Sequence, residues 1–89
     1  MRSQDVEIIN RLGLHARAAA QLVRLATQFQ SSVMLRKGNQ KANAKTIMDM
    51  LMLGATKGTL VTVETSGADE EAALAAVLEL INNRFNETE

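Results

Sequence analysis

Apolar residues in this sequence recur at two spacings, and the order in which those spacings alternate along 89 residues restricts the fold more than any other feature. Val6-Glu7-Ile8-Ile9 is a short β-rich run that gives way to the polar, glycine-bearing turn Asn10-Arg11-Leu12-Gly13. From Ala16 to about Gln28 the residues Ala19, Leu22, Val23 and Ala26 follow a helical i, i+3, i+4, i+7 pattern, with Phe29 near the same stripe. Ser32 to Lys37 alternates as a strand, with Val33 and Leu35 on one face and Met34 and Arg36 on the other. Gly38-Asn39 permits a tight connection to a short strand around Lys41 to Asn43. Thr46 to Gly54 reads as a short helix in which Thr46 and Asp49 resemble a capping box and Gly54 is the stop. Thr59 to Thr65 alternates again, and Ser66-Gly67-Ala68 breaks it. The acids Asp69-Glu70-Glu71 suit the positive end of a last helix whose stripe is Leu74, Val77, Leu78 and Ile81. Arg84 is expected to complement that helix's negative end, and Asn86 to Glu89 to form a frayed tail. The order β-α-β-β-α-β-α predicts an α+β fold of two layers, three helices covering one face of a four-stranded sheet.

Composition narrows the class further. A 46% hydrophobic content in 89 residues, without proline, internal repeat or polar linker, predicts one domain spanning residues 1 to 89. The absence of cysteine excludes disulfides and thiolate metal sites, and a single histidine excludes a histidine metal cluster, so neither metal nor cofactor is expected. The first residues, Met1-Arg2-Ser3-Gln4-Asp5, lack a signal-peptide core, and no apolar run approaches the ~18 residues of a membrane span, so a cytoplasmic location without membrane insertion is expected. Ten basic residues balance ten acidic ones, and only two phenylalanines represent the aromatics, which argues against a nucleic-acid partner.

Candidate chemistry concentrates in Gly13-Leu14-His15-Ala16-Arg17-Ala18-Ala19-Ala20, where the lone histidine stands at the point a loop becomes a helix. The free N–H groups of a helix's first turn, here those of Ala16 and Arg17, and the positive end of its dipole form an anion site. That position is expected to lower the imidazole pKa and leave a neutral, nucleophilic ring. The competing reading is an ordinary surface or capping histidine. A guanidinium at Arg17 opposes the helix dipole, which costs a few tenths of a kcal/mol unless an anion compensates. Arg24, seven residues on along the same helix stripe as Arg17, is either a solvated residue or a partner contact. The short helix is nearly apolar all round, so some of Ile47, Met48, Leu51 and Met52 are expected to be exposed as an adaptable partner surface. Thr46 is most simply an N-cap, worth roughly 1 kcal/mol, with regulatory phosphorylation as the alternative.

Gly-Leu-His-Ala-Arg at residues 13 to 17, followed by Lys45-Thr46-Ile47-Met48 and Gly54-Ala55-Thr56-Lys57-Gly58, resembles the HPr family of histidine phosphocarriers over nearly the whole chain. The resemblance implies an open-faced sandwich with sheet order 1-4-2-3. It also implies a role in the phosphoenolpyruvate-dependent phosphotransferase system, in which the histidine matching His15 receives a phosphoryl group on Nδ1 (the pros nitrogen) from enzyme I and passes it to an enzyme IIA protein. Arg17 matches the family's phosphoryl-stabilising arginine. The family's partner surface maps onto Ala16, Ala20, Arg24, Ile47 and Met48, with Leu51 beside them. Two positions depart from the pattern: Ala18 stands where proline is usual, and Thr46 where several relatives carry a kinase-modified serine. Ala18 and Leu51-Met52-Leu53 look more like the nitrogen-related (NPr) branch than the sugar-dedicated members. A monomer is expected. The alternatives are a docking module switched by His15 phosphorylation and, from a different class, a nucleic-acid-binding α+β domain.

Overall fold

The computed structural model describes residues 1 to 88. Four strands, β1 (Arg2–Glu7), β2 (Ser32–Lys37), β3 (Gln40–Asn43) and β4 (Leu60–Ser66), alternate with helices α1 (Ala16–Ala26), α2 (Ile47–Leu53) and α3 (Glu70–Asn82), and a 3-10 turn follows at Arg84–Asn86. The sheet is antiparallel throughout in the order β1-β4-β2-β3. This is the α+β open-faced sandwich expected.

Strand alternation explains why only one face is covered. Val6, Val33, Leu35, Ala42, Val61 and Val63 are buried on the helix side, packed with Leu22, Ala26, Met50, Val77 and Ile81. Residues of the opposite parity make a polar face. There the Thr62 hydroxyl donates to Asp5 at 2.6 Å, and Glu64 meets Arg36 at 3.3 Å and Lys41 at 3.2 Å. Among the described residues, no helix is long and apolar enough to cross a membrane.

Details of β1, α1 and α2 differ from the sequence expectation. β1 begins at Arg2 rather than Val6, because Arg2 to Glu7 pairs in register with Thr65 to Leu60. The partner strand, not an apolar pattern of its own, holds that segment extended, and Ile8 keeps one bond from its N–H to the Thr59 carbonyl at 2.9 Å. α1 stops at Ala26, two residues before Gln28. The capping box of α2 is only half formed: the Thr46 hydroxyl accepts the Asp49 N–H at 3.2 Å, but the Asp49 carboxylate accepts from the Asn43 N–H at 3.0 Å instead of capping Thr46.

The acids before α3 also do more than face a dipole. Glu70 pairs with the N-terminal ammonium at 3.1 Å, and Glu71 contacts Arg2. Asp69 caps no N–H of its own helix; its carboxylate accepts the N–H groups of Gln30 and Ser31, both at 2.9 Å, together with the Ser31 hydroxyl. The two loops at that end are thereby joined, and a Cβ on Gly67 would stand 2.6 Å from the Ser31 hydroxyl oxygen. The Ser31 hydroxyl first, and then the two backbone donors, hold the Asp69 carboxyl at about 2, below its ordinary 3.8. A depressed folded-state value means that the contribution is complete above the unfolded value and disappears as protons bind. Urea denaturation as a function of pH is therefore expected to show stability falling from pH 3.8 toward about 2, and Asp69→Asn to flatten the fall in that window.

Candidate functional site

The loop from β1 to α1 is pinned before it reaches the histidine. The Leu14 N–H donates to the Ala55 carbonyl at 2.8 Å, and the Leu14 side chain is buried. Gly13 lies at φ +67°, and a Cβ there would come 2.7 Å from the Ala55 carbonyl oxygen, so glycine is required by conformation and by space. The chain then turns through His15, which has extended backbone angles and is the N-cap of α1. Its Nδ1 accepts the Arg17 N–H at 3.3 Å, the role usually taken by a Ser, Thr or Asp oxygen. The expected anion site is thus already partly occupied: one of its two N–H donors, that of Arg17, holds the ring.

The other ring nitrogen meets a group that sequence reasoning missed. His15 Nε2 contacts a carboxylate oxygen of Glu87, whose second oxygen accepts from Asn10 Nδ2 at 3.0 Å. The same Asn10 amide donates to the Gly13 carbonyl at 2.7 Å, and Asn10 is fully buried. Burial pushes the Glu87 carboxyl up, but the hydrogen bonds from Asn10 and His15 and the nearby Arg17 charge together outweigh it and hold the carboxyl below its ordinary value.

Residues 86 to 88 are therefore not a frayed tail, and Glu89 lies outside the described residues. After α3 the chain passes through Arg84, Phe85 and Asn86, all with positive φ, at 55°, 51° and 64°. Left-handed backbone costs about 1–2 kcal/mol per residue, least at asparagine. The Phe85 side chain is completely buried, worth roughly 1.5–3 kcal/mol, and repays much of that cost. Asn86 adds bonds to Gln21 and Asn83, both at 2.9 Å. Arg84 accordingly sits in this turn and not in the last turn of α3. The signal in the sequence was Phe85 itself, a large apolar residue just after a helix.

Arg17 and Arg24 are exposed on α1, as is Ala16, while Ala20 is half-buried. α2 packs beside α1. It leaves Ile47, Met48, Leu51 and Met52 exposed, at 44%, 65%, 41% and 71%, and Leu12 in the histidine loop is 62% exposed. Four apolar side chains of α2 are thus exposed, and Leu12 is exposed separately in the histidine loop. Thr46 is exposed at the start of α2, and nothing in the structure selects it for modification. Ala18 is buried in the first turn of α1, where alanine suits the helix. Among the described residues, no group of three or more His, Cys, Asp or Glu side chains is arranged to hold a metal ion.

The family model described as the PTS HPr component phosphorylation site matches residues 2–83. The chain belongs to the HPr family of the phosphotransferase system. It is 48% identical to phosphocarrier protein HPr of Neisseria meningitidis over the full length of both chains. It is 45% identical over 85 residues, 94% of each chain, to phosphocarrier protein NPr of Escherichia coli K12. The crystal structure of HPr from Thermoanaerobacter tengcongensis superposes with a TM-score of 0.96 at 42% identity, covering 100% of both chains. Relatives named HPr and NPr thus both match, the HPr over more of the chain. The match to the family model ends at residue 83, before the turn that delivers Glu87, while the Neisseria relative and the Thermoanaerobacter structure align over the whole chain.

Phe85→Ala is expected to lower the unfolding free energy by about 3 kcal/mol in urea denaturation. It is also expected to raise amide hydrogen exchange at residues 84 to 88 while leaving the sheet protected.

Proposed function

We propose that this protein accepts a phosphoryl group on His15 Nδ1 from enzyme I and delivers it to an enzyme IIA protein, acting as a cytoplasmic monomer. The observation that carries the reading is the Nδ1 lone pair directed at the start of α1, where the Arg17 N–H meets it at 3.3 Å. On receipt, that lone pair attacks the donor's phosphorus in line; the Nδ1–P bond forms as the bond to the donor breaks, and the donor keeps the bonding electrons. The Arg17 N–H, released from Nδ1, is then available to a phosphoryl oxygen, with Ala16 N–H and the Arg17 guanidinium as further donors. Delivery reverses the roles, with His15 as leaving group. The partner supplies the remainder of the site.

Docking falls to the face formed by Ala16, Ala20 and Arg24 of α1 with Ile47, Met48 and Leu51 of α2. Flexible methionine and small apolar contacts adapt to unlike partners in turn, which suits a carrier that has to release each one. A single such face serves donor and acceptor successively, in keeping with a monomer.

Incubation with enzyme I and labelled phosphoenolpyruvate is expected to give acid-labile, base-stable label on the protein and none on His15→Ala. Label persisting in that variant defeats the phosphohistidine mechanism, and partner regulation by unlabelled His15→Ala supports a docking module instead. Met48→Asp, at a position 65% exposed and so neutral to folding, is expected to lower kcat/KM for transfer from enzyme I about tenfold through weaker docking.

A further inference from the structure

We propose that Glu87 is a positioning residue for phosphoryl transfer: its carboxylate accepts the Nε2–H of His15 and so keeps the nucleophilic lone pair on Nδ1. This rests on His15 being the phosphoryl acceptor. A neutral imidazole carries one proton on either nitrogen, and only the form protonated at Nε2 offers Nδ1 as a nucleophile. The two groups facing the ring leave no choice between those forms. A backbone N–H can only donate, so the Arg17 N–H at 3.3 Å requires a lone pair on Nδ1. An ionised carboxylate can only accept, so Glu87 requires a proton on Nε2.

The carboxylate is itself held in place. Asn10 Nδ2 donates to its other oxygen at 3.0 Å and to the Gly13 carbonyl at 2.7 Å, so one buried amide ties the histidine loop to the C-terminal segment. That segment reaches the ring only because Arg84, Phe85 and Asn86 all adopt positive φ and Phe85 is anchored in the core. The buried Phe85 side chain and the Asn86 bonds to Asn83 and Gln21 hold those three left-handed residues, and so fix where Glu87 is delivered. Glu87 stands on the Nε2 side and leaves the Nδ1 side open to a donor. During transfer the Nδ1–P bond forms, the donor's bond to phosphorus breaks with its electrons leaving on the donor, and the Nε2 proton remains on the ring. The charge that faces Glu87 from α1 is Arg17, and Arg11 of the preceding loop lines the same depression.

Imidazole nitrogen NMR of the full-length protein, wild type, Glu87→Ala and Glu87→Gln, tests this without any phosphoryl donor. The wild type is expected to show a single Nε2–H form with a slowly exchanging, downfield proton. Glu87→Gln, whose amide oxygen still accepts, is expected to keep that signal, and Glu87→Ala to lose it to solvent exchange. In transfer from enzyme I, Glu87→Ala is expected to lower kcat about tenfold with KM unchanged, and Glu87→Gln to recover most of the loss. A wild-type ring protonated at Nδ1, an Nε2–H signal indifferent to Glu87→Ala, or an unchanged kcat in that variant overturns the proposal. Failure of the carrier reading shows instead as label on His15→Ala and leaves the nitrogen spectra as they are.

Discussion

The position of β4 between β1 and β2 is the constraint from which the site follows. Bonded on both edges, β4 turns Val61, Val63 and Thr65 into the helix layer and Thr62 and Glu64 toward solvent. Where the strand begins, the Gly58 N–H donates to the Ile8 carbonyl at 2.7 Å and the Ile8 N–H to the Thr59 carbonyl at 2.9 Å. The segment leading into β4 therefore runs beside the end of β1. Leu14 then bonds back to Ala55 in that same segment, and the next residue is His15. The reactive loop is thus an extension of the sheet's hydrogen bonding, although no residue from 8 to 15 belongs to a strand.

The phosphoryl transfer proposed for this ring also requires a suitable electrical environment. The start of α1 supplies positive potential at Nδ1, and Glu87 supplies one negative charge at Nε2. The Arg17 backbone N–H and the Glu87 carboxylate meet different ring nitrogens, while the Arg17 side-chain charge lies near the carboxylate and helps to keep it ionised. Hydrogen bonding decides the matter more than net charge: a donor at Nδ1 and an acceptor at Nε2 polarise the imidazole along a single axis. With phosphorus on Nδ1 the Nε2 proton remains, so the Glu87 contact is compatible with the ring before and after transfer.

Most of the fold was legible in the residues. Val33 and Leu35, Val61 and Val63, and the Ala19-Leu22-Ala26 stripe announce their elements through period alone, and these residues are buried where the period places them. β1 was half legible, because Arg2 to Asp5 is all polar and its extension is imposed by pairing with β4, a contact between residues some sixty positions apart in the chain. His15, Arg17 and the exposed residues of α2 were legible because their signals are local: a lone histidine at a helix start, and a helix with too many apolar residues to bury. Glu87 was not, since its meaning depends on a backbone conformation that Arg84 and Phe85 adopt against their own preference. Asp69 was misread for the same kind of reason. An acid at a helix start is explained by the dipole until the partner loop at Gln30 and Ser31 is seen to take its oxygens.

In the proposed carrier, assigning chemistry and docking to separate residues lets a chain this small serve two partners. The residues that touch the ring, Arg17 and Glu87, come from the first turn of α1 and the segment after α3, and Asn10 of the loop holds Glu87. The exposed apolar residues come from α2 and the outer face of α1. Substitutions among Ile47, Met48 and Leu51 can retune which protein docks without moving the imidazole, because α2 is held underneath by Met50 and Leu53 and capped independently by Thr46 and Gly54. The ring, for its part, is held at both of its nitrogens before any partner arrives, which removes an ordering cost that each encounter would otherwise bear. In the proposed carrier, exposed methionines offer adaptable contacts to successive partners, and the preset imidazole removes an orientation cost from the chemistry. A carrier requires both properties, and placing them on separate residues lets partner choice diverge between branches of the family while the phosphoryl chemistry stays the same.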